Sequence, residues 1–250
     1  MRNLMLKISY DGTSYHGYQA QEGSITIQEV MEKTLSEIMK EDISVRGCSR
    51  TDAGVHAREY VMNFHTECKI PSDRVAVALN TKLPNDIVAI DCREVKEEFN
   101  SRFDTQSKTY RYFINNGEYD VFNRNFQWYL SRPLDVEKMQ QAAKNFIGYH
   151  PFDSFMAAGC QVKDTQRTIN YLNVEKKPSG IIEISINADG YLYNMVRIIA
   201  GTLVGVGYGR FTPDDITEII NAKDRTKAGV TAPARGLYLW EVFYDENNLI

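Results

Sequence analysis

Four cysteines in 250 residues, Cys48, Cys68, Cys92 and Cys160, stand far apart and form no C-x-x-C pair. That scatter argues against a zinc site and for a reducing compartment. The longest apolar stretch, Met195 to Tyr208, is short and carries Arg197, so it cannot span a bilayer. Met1 to Lys7 leads straight into a strand-like run and lacks the pattern of a signal peptide. The expectation is a soluble, cytoplasmic protein with no membrane association. Familiar chemical motifs are missing as well. No G-x-x-x-x-G-K phosphate loop and no G-x-S-x-G nucleophile motif occurs. Gly205-Val206-Gly207-Tyr208-Gly209 is glycine-rich, but it closes a predicted helix, where a dinucleotide fingerprint follows a strand and opens one. His16, His56, His65 and His150 lack metal-ligand spacing, so no metal is expected. Carboxylate, arginine and tyrosine remain as the usable chemistry.

Apolar residues make up 43% of the chain and charged residues 25%, ordinary for a folded protein with a substantial core. The net charge of -4 is uneven: residues 1–105 carry 13 Lys+Arg against 17 Asp+Glu, and residues 106–250 carry 16 of each. Lys223, Arg225, Lys227 and Arg235 face only Asp224 over residues 223–235, and Arg102, Lys108 and Arg111 are diluted only by Asp104. A positive cleft between acidic outer faces is compatible with that distribution, since focusing depends on local sign. Solvated faces are the plainer reading of the same runs.

Periodicity predicts strands at residues 4–10, 43–48, 60–66, 88–95, 109–115 and 237–244, and a hairpin at 168–174 and 180–188 bent at Pro178-Ser179-Gly180. Helices are predicted at 25–40, at 75–83 closed by Pro84, at 136–147, at 191–206, and at 213–222 with Thr212 as its cap. Loose alternation with hairpins indicates an α+β fold with antiparallel or mixed sheets. No low-complexity linker occurs, and the least committed boundary lies at 100–107. Two subdomains, 1–105 and 106–250, follow.

The most informative segment is Arg50-Thr51-Asp52-Ala53-Gly54-Val55-His56-Ala57, ahead of the apolar run Tyr60-Val61-Met62-Asn63-Phe64. Asp52 has neighbours too small to shield it, and Arg50 two positions earlier can hold it ionised. Such a carboxylate can act as nucleophile or base. On local grounds an Asx-type turn residue is the plainer reading.

In order along nearly the whole chain, eight blocks resemble the tRNA pseudouridine synthase A family. They begin with Tyr10-Asp11-Gly12-Thr13 and Gly17-Tyr18-Gln19, followed by the Asp52 segment as the signature. Ala78-Leu79-Asn80 with Leu83-Pro84 and Asp86-Ile87, Arg102-Phe103, and Lys108-Thr109-Tyr110-Arg111-Tyr112 come next. Phe152, Ser154-Phe155 and Arg167-Thr168-Ile169 lead to Asn194-Met195-Val196-Arg197 with Gly201, and Ala232-Pro233 with Gly236-Leu237 closes the series.

The resemblance implies two subdomains whose sheets run into one continuous sheet around a central RNA-binding cleft. It implies isomerisation of uridine to pseudouridine in the anticodon stem-loop of tRNA, at positions 38–40 of that RNA, by a homodimer without a cofactor. Asp52 then matches the catalytic aspartate, which attacks the ribose or deprotonates it towards a glycal. Arg197 matches the arginine that pairs with it, and a guanidinium does so bidentately. Tyr110 matches the active-site tyrosine, whose ring receives the extruded base and whose phenol can shuttle a proton. Leu237 matches the aliphatic wall beneath the base. Arg50 steers the nucleotide through a phosphate or displaces the base, and Arg58 and His56 are further substrate-binding positions. The plain alternatives are a structural ion pair for Arg197, core packing for Tyr110 and Leu237, and a turn-stabilising pair with Asp52 for Arg50. Departures occur at Tyr18, where the family usually has Trp, at Glu59-Tyr60, where Gly-Gln is commoner, and at Asn100-Ser101, which replaces His-Ala. They leave substrate choice open. The same chemistry on another RNA, or a silent RNA-binding protein that kept the cleft, are the competing functions.

Overall fold

The computed structural model describes residues 1–159, 162 and 164–249, apart from the side chain of Asn248; Cys160 lies outside the described residues. Two compact units divide the chain, one of residues 1–107 with 238–250 and the other of residues 108–237.

The first unit opens with β1 (Arg2–Tyr10), α1 (Ile27–Met39), β2 (Arg46–Gly47), β3 (His56–Thr66), α2 (Ser72–Leu79) and β4 (Ile87–Val95). β1 lies between β3 and β4 and runs antiparallel to both, with Leu6 opposite Met62 on one side and Cys92 on the other. A central strand is covered on both faces, which is why Leu4, Met5, Leu6 and Ile8 are all buried and the alternation is weak. α1 starts where the Thr26 side chain accepts the Glu29 amide and stops at Lys40, which has a left-handed φ of 58°. Ile27, Met31, Leu35 and Met39 form its buried stripe.

Two predicted elements are shorter than their periodicity suggested. The strand expected over 43–48 pairs only at Arg46–Gly47, because side chains of α1 take its backbone donors. The Ile43 amide donates to Ser36 Oγ and the Val45 amide to Glu32 Oε1. α2 ends at Leu79 and does not run on to residue 83. Asn80 turns away to pair with the backbone of Ala89, donating to its carbonyl and accepting from its amide, both at 2.8 Å. β3 begins four residues earlier than expected, at His56, so the signature segment runs directly into the sheet.

The second unit contains most of β5 (Thr105–Asn115), then β6 (Trp128–Tyr129), α3 (Val136–Lys144), β7 (Gly148–Pro151), β8 (Gln166–Lys176), β9 (Ile181–Ala188), α4 (Met195–Gly207) and α5 (Asp215–Ala222). β5, β9, β8 and β7 are neighbours in that order and antiparallel, and β6 joins β5 in parallel. The predicted hairpin is β8–β9, and Gly180 takes φ +83° at its bend. α4 is buried on every side except at Arg197, as its continuous apolar composition requires. It starts at Met195 because Asn194 is left-handed and Tyr191 is drawn off by the carbonyls of Lys108 and Ile186. Thr212 accepts the Asp215 amide while Asp215 accepts the Thr212 amide, a reciprocal cap; the helix becomes regular at Asp215, two residues after its predicted start. β7 and the two-residue β6 carried no periodic signal.

The last strand, β10 (Leu237–Tyr244), supplies residues 238–244 to the first unit and runs parallel to β3, with Tyr238 opposite His56. Both units therefore combine helices with mixed sheets, an α+β fold. No helix among the described residues is long and apolar enough to cross a membrane.

Gly201, inside α4, packs against backbone: a Cβ there would stand 1.9 Å from the Val230 carbonyl oxygen. Gly201→Ala is expected to lower the urea midpoint, at a cost in stability of roughly 1–3 kcal/mol, that of an overpacked core. A wild-type midpoint with an unchanged slope would contradict this packing.

Candidate active site

Residues 48–55 join β2 to β3 without regular structure of their own, so their backbone groups must be satisfied by other means. Tyrosines supply several of the partners, to side chain as well as backbone. The Tyr60 hydroxyl donates to the Ser49 carbonyl at 2.5 Å, and the Tyr10 hydroxyl and Thr51 Oγ1 are 2.8 Å apart. The amide of Tyr18 donates to the Thr51 carbonyl and that of Gly54 to the Tyr15 carbonyl. Within the turn, the Val55 amide donates to the Asp52 carbonyl at 3.1 Å, and Gly54 takes φ +75°. The rings form one cluster: Tyr60 stacks on Tyr18 at 4.5 Å and tilts against Tyr10 at 5.7 Å. Burial pushes the phenols of Tyr18 and Tyr60 well above the usual tyrosine range, so both keep their protons at physiological pH.

Close backbone approach completes the brace. A Cβ on Gly12 would lie 2.0 Å from the Val55 carbonyl oxygen, and one on Gly17, at φ +88°, 2.6 Å from that of Thr51. His56, buried at the start of β3, stacks on Tyr238 with ring centroids 4.7 Å apart. Its Nδ1 is 3.1 Å from both the Gly12 amide nitrogen and Asp11 Oδ1. The bare nitrogen accepts from Gly12, and the protonated nitrogen donates to Asp11. Either state ties the signature segment to the turn after β1.

Asp52 is thus a half-buried carboxylate on a loop pinned on both sides of it. Fixing a reactive group before substrate arrives is how a site avoids reorganisation during reaction. Arg50 is exposed two residues before it, and Arg58 is exposed on β3. These four positions, Arg50, Asp52, His56 and Arg58, share one continuous loop and strand.

In the second unit Tyr110 is buried on β5 opposite Ile186, and its ring meets that of Tyr191 edge-on at 4.9 Å. Arg197 stands in the first turn of α4. Its Nε donates to the Ala232 carbonyl and its Nη1 to Asn194 Oδ1, both at 2.7 Å. Leu237 is buried at the head of β10. Among the described residues, no group of three His, Cys, Asp or Glu side chains is placed to hold a metal.

The family model described as tRNA pseudouridine synthase matches residues 7–104 and 142–245. The chain belongs to the tRNA pseudouridine synthase family. The matched ranges include Asp52, Arg197 and Leu237, whereas Tyr110 falls in the interval between them. A protein named tRNA pseudouridine synthase A from Thermoanaerobacter sp. is 45% identical over 98% of this chain and 100% of its own length. One of the same name from Ruminiclostridium cellulolyticum is 48% identical over the same shares. A Clostridium perfringens protein named tRNA pseudouridine synthase A 2 is 46% identical, again over 98% and 100%. A solved structure, described as a Cbf5-Nop10-Gar1 complex, aligns with a TM-score of 0.40 at 12% identity over 98% of this chain and 51% of that one, too weak a likeness to carry any argument.

The pseudouridine synthase signature therefore sits on a brace that its own letters do not show. Tyr10, Tyr18, Tyr60, Gly12 and Gly17 position the loop, and the sequence marked only the first blocks to which some of them belong. Tyr60→Phe keeps the ring and removes the donor to Ser49. Losing that bond to a half-buried residue costs roughly 0.5–1.5 kcal/mol, so the loop opens about severalfold more often. Trypsin is then expected to cut after Arg50 correspondingly faster in the variant. Equal cleavage rates would show that Tyr60 does not hold the loop.

Proposed function

We propose that this protein is a cytoplasmic, homodimeric isomerase that converts uridine to pseudouridine in the anticodon stem-loop of tRNA. The observation that carries the reading is the family match together with the rigid presentation of Asp52, the one carboxylate of the signature. The reaction breaks the bond from ribose C1′ to N1 of the base, turns the base, and joins C1′ to C5; the proton lost from C5 is balanced by one gained at N1. Atoms and oxidation state are conserved, so nothing in the balance calls for a redox partner.

In this reading Asp52 is the catalytic group, acting on the ribose as nucleophile or as base. It must be ionised where water is excluded, and burial alone would push its pKa up and neutralise it. Arg197 is the residue assigned to oppose that shift. Its anchoring to Ala232 and Asn194 leaves the guanidinium little freedom to wander. Tyr110 is the face assigned to the extruded base; base–aromatic stacking is worth roughly 1–3 kcal/mol, comparable with the cost of unstacking. Leu237 forms the apolar wall under that base. Arg50, Arg58 and His56 complete the substrate-binding set, with His56 acting through the loop that it ties down. RNA suits such a site, because a deep groove hides base edges and leaves shape and backbone to be read.

Asp52→Asn is expected to keep the fold and most tRNA affinity while tritium release from C5-labelled uridine in tRNA falls on the order of 10⁴-fold or more, the scale of losing a nucleophile. Comparable release by wild type and variant would overturn the assignment. Arg197→Ala is expected to lower stability by less than the roughly 3–5 kcal/mol of a fully buried broken pair, because both side chains are only half-buried. Lost contacts to Ala232 would contribute to that figure, so the pH profile is the sharper readout. Without the cation the Asp52 pKa rises, ionisation comes later, and the acidic limb of the activity profile moves to higher pH. An unmoved limb would remove Arg197 from this role.

A further inference from the structure

A concavity of about 440 Å³ lies within the first unit, beside the loop that carries Asp52. That volume is within the range of roughly 300–1,000 Å³ typical of small-ligand sites. Its wall takes Ser49 and Arg50 from the loop itself, Arg46 from β2, Tyr18, and the turn bearing Arg102 and Phe103. Three guanidinium groups line it, and no carboxylate is among its lining residues. Folding has left that charge exposed in a unit whose overall balance is acidic.

Phe103 is the second unusual feature, being 77% exposed next to those cations. Its position is fixed from below. Asn100 Oδ1 accepts the Arg102 amide at 3.0 Å, the Ser101 amide donates to Asn63 Oδ1 at 2.9 Å, and Ser101 Oγ donates to the Arg46 carbonyl at 2.5 Å. Asn63 in turn donates to Asn3, and both are buried. The Arg102 guanidinium carbon lies 5.6 Å from the Phe103 ring centroid. An aromatic face carried on a braced turn beside three cations suits a group with both a flat ring and a negative charge.

We propose that this pocket is a second nucleotide subsite, holding a nucleotide of the RNA substrate other than the uridine being isomerised. Arg46, Arg50 and Arg102 take its phosphate and Phe103 stacks on its base. The inference rests on the tRNA reading above. Arg50 is two residues from Asp52, at most about 7 Å along the chain, so the bound nucleotide is a near neighbour of the reacting one. Stacking is tolerant of base identity, which makes the subsite a clamp for register on the RNA.

The test uses the full-length protein and an unmodified tRNA transcript. Binding is measured across a salt series and tritium release in single turnover, for wild type, Phe103→Ala, Phe103→Trp and Arg102→Ala. Phe103→Ala is expected to weaken Kd about tenfold without changing its salt dependence, and Phe103→Trp to restore it. Arg102→Ala is expected to weaken binding and to reduce the slope of log K against log salt by about 1. For both losses the effect falls on Kd far more than on the saturated rate. Wild-type Kd and slope in Phe103→Ala and Arg102→Ala, with the wild type converting uridine, would overturn the subsite alone. A wild type that binds with these same differences but forms no pseudouridine would support the subsite and overturn the activity. A wild type that neither binds nor converts tRNA would overturn both.

Discussion

A short segment with no ladder of its own bears Asp52, the carboxylate proposed for the chemistry, and its shape depends on hydroxyl groups that reach it from strands on either side. Tyr10 from β1 and Tyr60 from β3 hold Thr51 and Ser49, while the backbone of Tyr15 and Tyr18 bonds to Gly54 and Thr51. Each bond alone is worth only about 1 kcal/mol net. Their weight comes from what would happen otherwise, since a buried carbonyl without a partner is costly and the loop has no secondary structure to fall back on. Gly12 and Gly17 add a steric condition, because any side chain at either position would collide with the backbone of the same loop. Asp52 inherits its fixed position from all of these groups and from none singly.

The electrostatics follow a similar economy. A chain with net charge -4 is a poor nucleic-acid binder on paper. Charge is nevertheless effective where it is concentrated beside low-dielectric walls, and the concavity next to the Asp52 loop gathers Arg46, Arg50 and Arg102 without an acid among them. Elsewhere cations are engaged locally. Arg111 pairs with Glu183 at 3.1 Å, and Arg225 donates to the Gly229 carbonyl and to Thr231. Runs of basic letters therefore located little; convergence in space located more.

Much of the fold was legible because the strands are long and the helices amphipathic: α1, β1, β4 and β10 lie within two residues of their predicted limits at either end. Errors arose where a polar side chain captured the backbone. Ser36 and Glu32 dissolve a predicted strand, Asn80 stops a helix early, and Asn194 starts one late. Such side-chain competition leaves no trace in hydrophobic periodicity. The candidate site was half legible. Asp52, Arg50 and His56 stood out as one contiguous motif, with Arg58 directly after it. Their supports, Tyr10, Tyr18 and Tyr60, look like ordinary strand and core aromatics until their hydroxyls are followed to their partners. Asn100 and Ser101, noted as departures from the family pattern, became intelligible only as the hydrogen-bonding base of the Arg102–Phe103 turn.

Amide hydrogen exchange of the intact protein, read at Gly54 and Val55, tests the central claim most directly. These amides belong to an irregular loop, yet they donate to the Tyr15 and Asp52 carbonyls. If the loop is a rigid mount, they exchange as slowly as the β3 amides that follow them, through opening of the unit as a whole. Exchange at the rate of an unprotected loop, with β3 still protected, would mean that Asp52 is mobile before substrate arrives and would contradict the account.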